Sequence, residues 1–196
     1  MLLPQHMVNK MYKIAIPVAA LALAASSASA ATLDFTSGVI SGFGTVLTMP
    51  EATVTAGPGT TLSVGDFIPN AVCPLSSGLV CVGAMTLTWN FDVENVGFEY
   101  GNGSPGDFAT VTAFDASNSS VGSVALTLTS GTSSEDLSGL GVFRSLEFDN
   151  VGATGAGYAY GNVTFDRATV IPLPASLPLL LGAFGGLALM RRKRTA

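Results

Sequence analysis

The middle of the chain is written in alternation. Met85, Leu87, Trp89, Phe91 and Val93 take turns with Thr86, Thr88, Asn90 and Asp92. A period of two puts the apolar set on one face of a strand and the polar set on the other. Val96, Phe98 and Tyr100 resume the pattern after a short connection. A Gly-Asn-Gly-Ser-Pro-Gly turn follows at 101–106. Further strands are predicted at 108–114, 121–128 (Val124, Leu126 and Leu128 on one face), 143–149 and 158–166. The earlier part contributes 33–40, 45–49 and 60–64. Residues 115–120 read as a turn and 130–141 as a loop, with room for a helical turn at 134–140. No stretch sustains a 3.6-residue period. Eight or so short strands joined by Gly and Asn turns predict an all-β fold, an antiparallel β-sandwich of jelly-roll type, over residues 31–169.

The two ends depart from this pattern. Lys10 and Lys13 precede an apolar run at 14–25, and Ser26-Ser27-Ala28-Ser29-Ala30 follows. A charged region, about a dozen apolar residues and an A-x-A site read as a signal peptide over 1–30, with Ala28 and Ala30 at the signal-peptidase site. The alternative is a membrane anchor, but the run is short for a span and contains Pro17. Met7 and Met11 are alternative starts. At the other end Ser176 to Met190 carry no charge, and Arg191-Arg192-Lys193-Arg194 close the chain. A helix over 175–190 would be about 24 Å long. Snorkelling arginines extend it toward a ~30 Å hydrocarbon core. The basic cluster predicts a cytoplasmic C-terminus and an inner-membrane intermediate, with the body on the far side. A plain single-span anchor is the simpler alternative. Gly182 and Gly186 form a GxxxG, a spacing common enough in spans to say little about pairing.

Charge sharpens the division. Six of the eight cations lie at the two ends, and all 13 acidic residues lie between Asp34 and Asp166. Between Ala31 and Val170 only Arg144 and Arg167 oppose those 13, leaving −11. Such a body is no nucleic-acid partner. Export would place the only two cysteines, Cys73 and Cys81, in an oxidising compartment, where a disulfide is expected. Two free thiols or half a metal site are the alternatives, and zinc would lack two further soft ligands.

The terminal segment Val170-Ile171-Pro172-Leu173-Pro174-Ala175, a short apolar helix and four basic residues together resemble the tripartite sorting signal of the PEP-CTERM group. Ile171, Pro172, Leu173, Pro174 and Ala175 match its VPLPA-CTERM variant with Ile in place of Val. The resemblance covers 170–196, and the two prolines hold the motif extended, as a protease cleft requires. It implies recognition by an exosortase, a membrane-embedded cysteine transpeptidase-like enzyme. It also implies delivery of the body to the surface or exopolysaccharide matrix of a Gram-negative bacterium. The body is more loosely similar to domains attached to such signals, through Val96-Gly97-Phe98, Val111–Asp115 and a last strand ending Asn162-Val163-Thr164-Phe165. Gly161 stands where those domains often carry aspartate, and the triplet Asp149-Asn150-Val151 falls one strand earlier.

Most catalytic chemistry is missing from the body. The one histidine is His6, and residues 31–169 contain neither His nor Lys. That excludes Ser-His-Asp and Cys-His catalysis, lysine Schiff bases, P-loops and His-ligated metals. A two-carboxylate glycosidase survives, with Asp92 and Glu94 about 7 Å apart on one strand face. Solvated surface charge is the plainer reading of that pair. Sugar binding is the sharper expectation. With Val163 and Phe165 facing the core, Tyr158, Tyr160 and Asn162 would share the outer face as a platform. The plainer reading has these tyrosines packed in the sheet or under a loop. No cofactor is expected apart from a structural Ca²⁺ at strand ends. Asp149, Asn150 and Asp166 lead its candidates, with Asp34 and Asp115 behind them, although no EF-hand or repeat spacing is present. The sequence therefore predicts a non-enzymatic, exported surface or matrix protein, structural or adhesive. Its expected partners are signal peptidase, exosortase and the inner membrane in transit, and exopolysaccharide afterwards. A carbohydrate-binding module is the first alternative.

Overall fold

A computed structural model describes residues 30–169, apart from 42, 43, 66, 67, 102, 128–130 and 151–156. The signal segment with Ala28, the sorting motif at 171–175, the span at 175–190 and the basic residues 191–194 lie outside the described residues. Among the described residues no helix is long and apolar enough to cross a membrane.

The described chain is all-β and its named strands pair antiparallel. In chain order they are β1 (Ala31–Thr32), β2 (Val39–Ser41), β3 (Val46–Thr48), β4 (Ala52–Ala56), β5 (Thr61–Val64), β6 (Ala71–Leu75), β7 (Ala84–Gly101), β8 (Phe108–Phe114), β9 (Ser120–Thr127), β10 (Thr132–Asp136), β11 (Phe143–Asp149) and β12 (Ala159–Arg167). One path runs β2-β3-β4-β7-β11-β8-β9. A second branches from the far half of β7, with β10 on one side and β12, β6 and β5 on the other.

β7 joins the two. Its first half lies between β4 and β11, with Leu87 opposite both Val54 and Leu146. Its second half lies between β10 and β12, with Tyr100 opposite both Ser133 and Tyr160. The expected break between two strands near residue 95 is a bulge within one strand. Asn95 has φ 52° there, and the buried set changes from odd positions (Met85, Leu87, Trp89, Val93) to even ones (Val96, Phe98, Tyr100). An extra residue shifts the alternation and turns the strand, which keeps an apolar face inward on both branches of the sheet.

The core runs between the two inner faces as one apolar cluster. Phe98 from the second half of β7 meets Phe148 of β11 edge to face at 5.5 Å. Phe148 meets Tyr160 at 4.3 Å. A second aromatic group surrounds Trp89, with Phe143 at 6.2 Å and Phe165 at 5.8 Å.

Two strands, β10 and β6, lack the apolar alternation that marks β7 and β8. β10 reads Thr-Ser-Ser-Glu-Asp, in the expected loop, and is followed by a 3-10 turn at Ser138–Leu140. β6 contains Pro74, a strand-weakening residue. It is tolerated because the recorded pairs with β12 involve only Ala71 and Val72. β4, also not expected, does alternate as Ala-Thr-Val-Thr-Ala but is only five residues long and built of small side chains. The strand expected at 33–40 is replaced by a 3-10 turn at Phe35–Ser37 before β2. There the Asn70 side chain takes the backbone partners a strand would have used, accepting from Phe35 N at 2.8 Å and donating to Leu33 O at 2.9 Å.

Cys73 and Cys81, the only two cysteines of the sequence, form the expected disulfide. Both are buried with Ala71 and Ala159 in a small cluster of their own. Gly157 bridges to Cys81 beside it. A Cβ at Gly157 would stand 1.9 Å from the Cys81 carbonyl oxygen, so only glycine fits this approach.

Candidate functional site

The tyrosine platform is corrected by the fold. Tyr158 and Tyr160 are fully buried, and only Asn162 of the expected trio is exposed. The cause is a second bulge. Asn162 has φ 46°, and the pairing of β12 with β7 shifts between Gly161 and Thr164. Even positions face inward before it and odd positions after it, so the tyrosines share the core with Val163 and Phe165. Their hydroxyls are spent internally. Tyr158 donates to Asp107 O at 2.8 Å, and Tyr160 donates to Asn150 Oδ1. Burial pushes the Tyr160 hydroxyl well above its ordinary pKa of 10, with nearby Tyr158 adding to the effect.

The calcium candidates are not brought together either. Asp149 lies opposite Ala84 on β7, while Asp166 lies opposite Glu94, about 30 Å further along the strand. Buried Asn150 donates to Cys81 O at 2.7 Å and accepts from Tyr160, a structural knot beneath the disulfide. Asp34 caps the 3-10 turn, accepting from Thr36 N at 3.0 Å and Thr36 Oγ1 at 2.6 Å. Those bonds lower its pKa, the side-chain one most. Asp115 accepts from Ser117 N and Ser119 N in a turn. Among the described residues no group of three or more His, Cys, Asp or Glu is placed to hold a metal ion. Asp92, one of the two glycosidase carboxylates, accepts from Arg144 Nε at 2.7 Å. Arg167, the other body cation, reaches Glu51 at 3.5 Å and lies 3.8 Å over the Phe91 ring.

What the fold does assemble is a polar groove on the outer face where β10, β7 and β12 run side by side. It encloses about 380 Å³ and is lined by Gly97, Glu99, Ser134, Asp136, Asn162 and Thr164, with Phe98 and Glu135. Register makes it. Glu99 lies opposite Ser134 and Gly161, and Gly97 opposite Asp136 and Thr164. Gly97 forms the floor, where a Cβ would come within 3.2 Å of Thr164 Oγ1. Asn162 Nδ2 donates to Glu99 Oε2 at 2.6 Å across the groove. The Asp136 carboxyl is held below its ordinary pKa by the backbone N–H of Ser138 and then by that residue's side chain. The groove thus presents carboxylates, an amide and hydroxyls, groups that hydrogen-bond hydroxylated ligands. Of its residues only Asn162 stands among the binding residues expected from sequence. Glu99, Ser134 and Thr164 converge only because β7 pairs with polar β10 on one side and with β12 on the other.

No protein-family model and no curated protein matches the chain. Among solved structures it is similar to a family 11 carbohydrate-binding module of the cellulosomal cellulase Lic26A-Cel5E of Clostridium thermocellum. The identity is 13% and the TM-score 0.40, over 73% of this chain and 97% of that one. It is also similar to the enzymatically active domain of tailspike protein 4 of bacteriophage CBA120. There the identity is 16% and the TM-score 0.33, over 62% of this chain and 20% of that one.

Proposed function

We propose that this chain is an exported, jelly-roll-like β-sandwich. In this reading its C-terminal segment is handed to an exosortase, and the body serves as a structural or adhesive component of the cell surface or extracellular matrix. The observation that carries the export step is the disulfide between the only two cysteines, Cys73 and Cys81. Such bonds persist in oxidising compartments. The signal segment at 1–30 and the motif, span and basic tail at 170–196 supply the route. A body without His or Lys, whose two arginines are both ion-paired, supports a role without catalysis. Intact mass of protein extracted from the cell surface tests the route. The expected species begins at Ala31, lacks Arg191 to Arg194 and is lighter by one disulfide's two hydrogens. A surface species that retains the basic tail overturns exosortase processing.

A second reading, carbohydrate binding, is favoured by the groove beside Glu99 and Asn162. Affinity electrophoresis through matrix polysaccharide separates the two. A binder is retarded and Glu99→Ala abolishes the retardation, whereas a purely structural body migrates unchanged.

A further inference from the structure

Sheet edges expose unpaired N–H and C=O groups, and proteins normally blunt them with short strands or charge. Among the described residues β1, β2, β5, β9 and β10 pair on one side only. β1, β2 and β5 are short, with two, three and four residues. β10 carries Glu135 and Asp136. β9 has neither protection. It is eight residues long, Ser-Val-Gly-Ser-Val-Ala-Leu-Thr, with no charge and no proline. Its irregularity is confined to the start, where the pairing with β8 slips at Val121, and Gly122 to Thr127 run in regular register.

The setting of this edge says what it can pair with. The body carries −11, so two copies repel over most of their surface. Residues 116–131 contain no ionisable side chain. Two copies can therefore meet there without burying a carboxylate. Apolar side chains are also uncovered at and beside this edge. Val124 packs against the core and is only half-buried, Val121 is 37% exposed, and Phe108, opposite Thr127, is 47% exposed.

We propose that β9 is a self-association edge, at which a second copy of this chain adds its own β9 antiparallel across a two-fold axis near Val124. Val124 then lies opposite its counterpart, Ser123 opposite Ala125 and Gly122 opposite Leu126. The sheet continues from one molecule into the other and Val124 is covered. The contact is isologous and closes at two copies. Each copy's acidity opposes it, so association strengthens as salt rises from about 0.01 M to 0.1 M and the Debye length falls from ~30 to ~10 Å. This inference is independent of the sorting route.

Sedimentation velocity of the full chain in mild detergent, over a concentration series, tests it. Ser123 and Ala125 are both exposed, so their replacement leaves the core intact, which Trp89 fluorescence and the melting temperature check. The wild-type chain is expected to sediment as a dimer. A S123K/A125K chain sets lysines opposite lysines and is expected to be monomeric. A S123E/A125K chain sets opposite charges across the axis and is expected to dimerise again. A wild-type monomer, a S123K/A125K dimer or a S123E/A125K monomer each overturns the proposal, the first meaning that other parts of the chain cover the edge.

Discussion

Asn162 on β12 donates its side-chain N–H to the Glu99 carboxylate on β7 at 2.6 Å. The same two strands make the converse contact at their other end, where Asn95 of β7 donates to Asp166 of β12 at 3.0 Å. Each strand is bulged at its own asparagine, and each asparagine reaches a carboxylate on the other strand. Asparagine tolerates the left-handed conformation better than most residues. Its amide also anchors the extra residue, so the two bulges hold the shared part of β7 and β12 in one register.

Replacing Asn162 separates backbone strain from the hydrogen bond. Asn162→Ala loses the exposed bond to Glu99 and, with it, the polar side chain whose local hydrogen bonding offsets the roughly 1–2 kcal/mol penalty a Cβ meets at φ 46°. Asn162→Gly loses the bond but not the conformational freedom. Urea unfolding is expected to rank wild type above Gly and Gly above Ala. Equal stability of the two variants would mean that the bulge does not depend on the backbone preference.

Tyr160 acts inside the core. Tyr160→Phe keeps the ring against Phe148 and Phe98 but leaves Asn150 Oδ1 without its donor. An unsatisfied buried acceptor costs about 1–3 kcal/mol. Denaturant midpoints of Tyr160→Phe, Asn150→Ala and the double variant should give a coupling of about 1 kcal/mol or more. Additive losses would show that the two side chains act separately.

The disulfide closes a loop with sequence separation 8. The chain-entropy model assigns such a closure about 2.5 kcal/mol. Cys73→Ala/Cys81→Ala is expected to lower the melting temperature by several degrees, and reductant should bring the wild-type protein close to the variant. Unchanged melting would place the loop's stability in the Asn150 contact with the Cys81 carbonyl.

Acid should weaken the fold through Asp34 and Asp136, whose pKa values both lie below the ordinary 3.8. A depressed folded pKa gives a contribution that is complete above the unfolded value and is lost as pH falls through the folded one. Both carboxylates cap turns by accepting from Thr36 and Ser138. The double variant Asp34→Asn/Asp136→Asn keeps an acceptor without a titrating group. Its melting temperature is expected to fall less than that of wild type between pH 4 and pH 2. Parallel curves would assign the acid sensitivity to other carboxylates.

Strand positions were largely legible. Residues 108–114 and 143–149 are strands with the expected limits; the first alternates throughout, and the second alternates from Leu146 onward, past a register shift between Phe143 and Ser145. β10 was not legible, since five polar residues carry no inward face and pair only because the outer half of β7 is available. Most of the groove escaped with it. Glu99 and Thr164 are ordinary outward-facing residues until the register sets them beside Ser134 and Asn162.

The sequence by itself determined an all-β body, its acidity, its lack of His and Lys, and the pairing partner of each cysteine. Those properties follow from period, composition and number, which are local or additive. The tertiary structure alone decided which face each half of β7 and β12 turns inward. A single bulge at Asn95 or Asn162 inverts every side chain beyond it, and a bulge is stabilised by the strand alongside. That inversion is the physical reason why Tyr158 and Tyr160 are core residues and the outer face carries a polar groove.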